Sequence, residues 1–147
     1  MTTSEAALDK LSIRETIENY LNFLDAKDWS GIASCFTEDA VSRYNFEPEV
    51  LRGGRGVADW VRVRVGKYGA TDHALSNLRI VVNGDFATCD SRLTASLLHL
   101  EGTQRQVSVR AIWYRDKLRR EGNRWLICER LHEPQWQYEV PGRALQL

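Results

Sequence analysis

Apolar residues recur at helical spacing in the first part of the chain and at spacing two in the rest. Over residues 5–26, Ile13, Ile17, Tyr20, Leu21 and Leu24 fall on one stripe, which predicts a single amphipathic helix. Thr2 with Glu5 fits a capping box at its start, and Ser12 with Glu15 fits another, so the first two turns are expected to fray. Asp25 lies on the flank of the stripe, where a carboxylate reaches the edge of whatever the helix covers. Asp28 is a natural N-cap for a short helix over residues 29–35. Residues 36–39 read as a turn and 40–46 as a strand. Pro48 and Gly53-Gly54 interrupt the chain. Helical spacing returns over 56–68, with Val57, Trp60, Val61, Val65 and Tyr68 on one side. Gly69 ends that helix, and the loop Ala70-Thr71-Asp72 leads to His73.

The period then becomes two. Leu78, Ile80 and Val82 alternate, and Asn83-Gly84 is a strong hairpin signal. A long strand is predicted over 86–100, with Ala87, Cys89, Ser91, Leu93, Ala95, Leu97 and His99 on one face. Glu101-Gly102-Thr103 turns the chain. Two further strands, 107–115 and 125–132, flank a charged loop over 116–124, and the tail from Glu133, with Pro134 and Pro141, has no clear period. Helices followed by an antiparallel meander predict an α+β class, a curved sheet with the helices on one face.

A length of 147 residues fits one domain, 1–147, with a core of about 6–132 and a tail of 133–147. Twenty Lys and Arg balance twenty Asp and Glu, which removes the electrostatic case for nucleic acid. The Arg-rich stretches 52–64 and 115–124 are interrupted by acidic or apolar residues and read as solvated faces. Cys35, Cys89 and Cys128 are odd in number and far apart, as expected of reduced thiols in a reducing compartment. No apolar run is long enough to span a membrane, and the first residues lack a basic secretory n-region, so a cytoplasmic location is expected.

Leu-Asp-Ala-Lys-Asp-Trp at the first helix end, then Cys-Phe-Thr-Glu-Asp-Ala-Val, resembles the SnoaL-like branch of the nuclear transport factor 2-like superfamily. So do His73-Ala-Leu-Ser-Asn77 before Val-Asn-Gly-Asp-Phe-Ala-Thr, and the late Gly-Asn-Arg-Trp-Leu-Ile. The resemblance covers about residues 6–132. It implies a cone-shaped, strongly curved sheet closed by N-terminal helices around a deep pocket, and a homodimer or homotrimer. Within the branch the chain is most similar to scytalone dehydratase, bile-acid dehydratase and hexachlorocyclohexane dehydrochlorinase, which implies a His–Asp dyad of His73 and Asp25. The same resemblance matches Tyr44 and Tyr20 to pocket tyrosines. Leu24 and Arg110 depart from the scytalone dehydratase pattern, where a catalytic tyrosine and a pocket asparagine stand, and this argues against scytalone as substrate.

The chemistry such a dyad carries is proton transfer near neutral pH, since a carboxylate on one imidazole nitrogen fixes the tautomer and strengthens the other as a base. The expectation is a cofactor-independent lyase of the dehydratase type acting on a small, mostly apolar cyclic molecule. His73, Asp25, Tyr44 and Tyr20 are the catalytic candidates. An isomerase or polyketide cyclase using the same base, and a non-catalytic binding or assembly module, are the alternatives. Each residue also has a plain structural reading: His73 and Asp25 as caps of backbone groups, the tyrosines as core. His99, Arg110 and Trp113 are the substrate-binding candidates, Trp113 having core or interface as its other reading. A regular two-residue turn at Asn83-Gly84 sets His73 opposite Thr94, away from His99, unless a bulge in the long strand intervenes. Arg130 and His132 are read as alternating in face, with Arg130 an ion-pair partner. Three His without ligand spacing give no metal site, and Gly53-Gly54-Arg55-Gly56 lacks the context of a phosphate loop.

Overall fold

The computed structural model describes residues 2–100 and 105–145. Helix α1 runs Thr3–Asp25 and buries Ile13, Ile17, Tyr20, Leu21 and Leu24, the stripe read from the sequence. Thr2 and Glu5 form the capping box, with Thr2 N–H donating to Glu5 Oε2 at 2.6 Å and Glu5 N–H to Thr2 Oγ1 at 3.1 Å. The helix passes unbroken through Ser12 and Glu15, so no second start exists there. It stops at Lys27, whose φ of 55° takes the left-handed position. Lys27 N–H then bonds Leu24 C=O and Asp28 N–H bonds Phe23 C=O, the paired bonds that close a helix end. Asp28 caps α2, Trp29–Ser34, by accepting from Gly31 N–H.

Strand β1 spans Phe36–Tyr44, so the stretch expected to turn at 36–39 is already extended. Phe36 and Thr37 are both buried there, which placed the apolar signal out of strict alternation. The strand ends before Asn45 and Phe46, both at φ 58°. After β2, Leu51–Arg52, helix α3 spans Gly53–Val65 and begins three residues earlier than expected. Gly54 does not break it: a side chain at that position would run into the Ala33 carbonyl, so the absent Cβ is what lets α3 settle on α2.

Strands β3 (Thr71–Asn83), β4 (Phe86–Leu98), β5 (Gln106–Glu121) and β6 (Arg124–Pro141) complete a curved, unclosed six-stranded sheet in the order β2-β1-β6-β5-β4-β3. β1 runs parallel to β6 and every other pair is antiparallel, so the sheet is mixed. The stretch 116–124 is therefore mostly strand, joined by a tight hairpin in which Glu121 pairs with Arg124. Its outward charges hid the pattern, because they are paired across strands, Lys117 with Glu129 and Arg119 with Asp39. The tail is likewise strand as far as Pro141. Pro134 is accommodated beside an irregularity, where Ala111 pairs with Trp136 but Ile112 with Pro134. The turn expected at Glu101-Gly102-Thr103 lies outside the described residues.

The core lies between the concave face and the helices. α1 packs on β3 and β6, and α3 on β1. β4 alternates as expected, burying Ala87, Cys89, Ser91, Leu93, Ala95 and Leu97. None of the helices is long and apolar enough to cross a membrane.

Candidate functional site

Asp25 is the last residue of α1, where a carboxylate meets the negative end of the helix dipole and no basic side chain lies in the same turn. Its compensation comes from β3. Oδ1 accepts from Thr71 Oγ1 at 2.8 Å and lies 2.6 Å from His73 Nδ1, while Oδ2 accepts the His73 backbone N–H at 3.0 Å. Partial burial works against the charge, but the bonds from His73 and Thr71 outweigh it and hold the carboxyl below its ordinary range. An ionised carboxylate has no hydrogen to give, so the Nδ1–H belongs to His73, and in the neutral form of the ring the lone pair is on Nε2. The His73 side chain is 5% exposed, and it lines a cavity of about 240 Å³ that opens to solvent.

His73 reaches this cavity because of a bulge. Near the hairpin Asn83 pairs with Phe86, Val82 with Ala87 and Arg79 with Asp90, whereas beyond it Ser76 pairs with Arg92 and His73 with Ala95. Asn77 and Leu78 thus oppose the single residue Ser91, and Asn77 sits at φ 52°. The two-residue turn is Gly84-Asp85 and not the expected Asn83-Gly84. That moves the partner of His73 from Thr94 to Ser96, and the bulge brings it back to Ala95, on the small-residue face. The bulge lies in β3 rather than in the long strand β4.

The floor of the cavity is a polar cluster under aromatic rings. Tyr20 and Tyr44 hydroxyls are 3.0 Å apart, and Arg130 Nη1 donates to Tyr44 at 3.4 Å. Arg130 is fully buried in a bidentate pair with Asp116, at 2.7 and 2.8 Å, its guanidinium 3.9 Å from the Tyr114 ring and 4.3 Å from Tyr20. Although burial opposes its charge, the facing carboxylate keeps Arg130 protonated. Burial pushes the Tyr20 and Tyr44 hydroxyls above the ordinary phenol range, so both are donors, not phenolates.

His132 is the residue that sequence reasoning undervalued. Arg130 and His132 do not alternate in face. They are two apart on β6 and both point inward, leaving Leu131 outside. The His132 ring stacks on Tyr44 at 4.7 Å and lines the cavity, and its Nδ1 is buried without a protein partner. Burial first, then the neighbouring Arg130 charge, pushes its pKa down to about 3, so it is neutral. The available signal was its spacing of two from Arg130. Tyr68, expected on the apolar side of its helix, instead follows α3 and lines the cavity with its hydroxyl bonded by Arg110 Nη2 at 3.3 Å.

Of the substrate-binding candidates, Arg110 lines this cavity together with Ile112 and Tyr114, as their shared face requires. His99 does not. It lies just past β4 in a separate cleft with Lys67, Tyr68 and Leu100, its Nε2 2.6 Å from Ser108 Oγ and its ring edge-on to Tyr68. Trp113 is on the opposite, convex side of β5, stacked between Arg92 at 4.5 Å and Arg115 at 5.2 Å, and contributes nothing to the cavity wall. Inward residues of β5 carry even numbers here, which excludes it.

The chain is 25% identical over 124 residues to an uncharacterised protein of Mycobacterium tuberculosis, covering 84% of this chain and 83% of that one. Its fold is similar to that of a candidate scytalone dehydratase from Novosphingobium aromaticivorans, with a TM-score of 0.84 at 18% identity over 97% of this chain and 95% of that one. It is similar also to a hexachlorocyclohexane dehydrochlorinase from Novosphingobium barchaimii, with a TM-score of 0.85 at 18% identity and 99% of each chain covered. At such identity these structures establish the fold alone. The model of the SnoaL-like domain matches residues 5–131, and the chain belongs to this family, within the nuclear transport factor 2-like superfamily.

Proposed function

We propose that the chain is a cofactor-independent lyase that eliminates water or another leaving group from a small, mostly apolar cyclic substrate. The observation that carries this reading is the 2.6 Å contact between Asp25 and His73 Nδ1 behind a cavity that His73 lines. His73 Nε2 takes a proton from a carbon next to a carbonyl or vicinal to the leaving group. The C–H electron pair becomes the new double bond, and the imidazolium returns the proton to the departing oxygen, so that water leaves. Asp25 orients the ring and stabilises its cationic form, while the Tyr20–Tyr44 pair, in which one hydroxyl donates to the other, holds the carbonyl or leaving oxygen with the hydrogen that remains. Two of the proteins that share the fold are named dehydratase and dehydrochlorinase, both names for eliminations, which supports this reaction class over the others.

The test is turnover of cyclic β-hydroxy ketones, with product mass as the readout. Loss of one water that falls by about 10² to 10⁴ in His73→Ala, with circular dichroism unchanged, is the expected result. Product of unchanged mass would assign the isomerase or cyclase reaction instead, and an unaltered rate in His73→Ala would remove the dyad from the chemistry.

A further inference from the structure

The charge on the cavity wall is of one sign. Arg64, Lys67 and Arg110 line it, and no Asp or Glu does among the described residues. Arg64 is neutralised by Glu47, with contacts of 3.1 and 3.2 Å. Arg110, by contrast, has no carboxylate within 4.0 Å among the described residues. Its one hydrogen bond is the long one to Tyr68, and its Nε is buried with no partner. A half-buried guanidinium with no counter-charge beside it makes the cavity positive and favours an anionic ligand. Nη1 makes no hydrogen bond among the described residues and is not buried, and Nη1 with the second Nη2 hydrogen forms an edge that takes a carboxylate with two parallel bonds.

A second observation points to the same place. His132, 8% exposed, lines this cavity with an unpartnered buried Nδ1. In the protonated-Nδ1 tautomer it offers one more donor to an anion in the same cavity. Register adds the position of the reacting carbon. His73 pairs with Ala95 and Ala95 with Arg110, so base and cation stand in one row on three adjacent strands with only a methyl group between them. Adjacent strands are about 4.8 Å apart, so the row spans about two strand spacings, on the scale of one ring with one substituent.

We infer that the substrate is a cyclic carboxylic acid, bound through its carboxylate to Arg110 and His132 with its ring over Ala95 and the labile C–H at His73. This deepens the proposed lyase reading and rests on its placing the substrate in this cavity. The inference is tested by binding, which needs no turnover. Benzoate and cyclohexanecarboxylate are compared with benzamide and cyclohexanecarboxamide by titration calorimetry. The wild-type protein is expected to prefer each acid on the order of tenfold or more. Arg110→Gln is expected to erase the preference, and Arg110→Lys to restore part of it. His73→Ala is expected to keep it. Equal affinity of acids and amides in the wild type overturns the inference, as does an Arg110→Gln protein that still prefers the acids. If the preference is present but His73→Ala turns over normally, the lyase reading fails and the acid site stands. If elimination depends on His73 with no preference for acids, the reverse holds.

Discussion

One carboxylate, that of Asp25, holds both the ring and the backbone amide of His73, through bonds of 2.6 and 3.0 Å. The backbone bond fixes where β3 begins relative to the end of α1, and the ring bond fixes the tautomer. A single side chain thus ties helix to sheet and sets the free nitrogen toward the cavity. Any change at Asp25 is therefore read twice, in stability and, on the proposed lyase reading, in chemistry.

Asp25→Asn keeps the volume but offers one acceptor oxygen where there were two. Turnover is expected to fall by about 10² to 10⁴, and urea denaturation to show a loss of about 1–3 kcal/mol at neutral pH. The stability difference has a defined pH dependence. The Asp25 carboxyl is held below its ordinary value of 3.8, so its contribution is fully present above that pH and lost as pH falls through the lower folded value. Wild type and Asp25→Asn should converge in acid. A gap that stays constant down to about pH 2 would show that the carboxylate charge is not what stabilises the junction.

His132 gives the opposite kind of acid sensitivity. In the folded chain its pKa is pushed down from 6.5 to about 3 by burial and by Arg130, with Arg110 and His73 adding in the same direction. Between those values the unfolded chain binds a proton that the folded chain refuses, so stability rises with pH by up to about 1.4 kcal/mol per unit. His132→Phe retains the stack on Tyr44 and removes the titration. Its melting temperature is expected to change less than that of wild type between about pH 5 and about pH 7. Identical slopes in the two proteins would mean that His132 takes up its proton in the folded state.

Asp116 and Arg130 are both completely buried, so each is affordable only with the other. Asp116→Leu alone leaves an unpaired cation among Tyr20, Tyr114 and Phe36 and is expected to cost about 3–5 kcal/mol. Asp116→Leu with Arg130→Met is expected to recover most of that loss, because it replaces an ion pair by hydrocarbon of similar volume. Denaturation of the two single variants and the double variant gives the coupling, and simple additivity would refute it.

Much of this was legible because it is periodic. The α1 stripe, the capping of α2 by Asp28 and the alternation of β4 are all local patterns, and Asp25 and His73 were recoverable through family resemblance at the ends of their elements. The failures share a cause. Residues 116–124 looked like a loop because outward charges paired across strands carry no apolar signal, and the strand beyond Glu133 is held by pairing with β5, not by its own alternation. Trp113 and Arg110 are three apart on one strand, and only the side of the sheet they face separates a surface stack from a cavity wall. That side depends on register, which spacing alone does not contain.

The register of β3 turns on Asn77, and the last prediction concerns it. Without the bulge, the pairing seen near the hairpin would continue and place His73 opposite Ser96, with its ring on the outer face. Asn is one of the few side chains that tolerate a φ of 52°. Asn77→Gly should therefore preserve both stability and turnover, while Asn77→Val, β-branched and strained in that region, should cost about 1–2 kcal/mol. Deleting Asn77 removes the extra residue, so Leu78 opposite Ser91 is followed directly by Ser76 opposite Arg92, and His73 stays opposite Ala95. Turnover is expected to be retained. Hydrogen exchange of the His73 amide checks the cause, since its bond to Asp25 must be lost if the strand has shifted. Lost protection there, together with lost turnover, would show that β3 has slipped on β4 and that the bulge itself is needed to hold His73 inward.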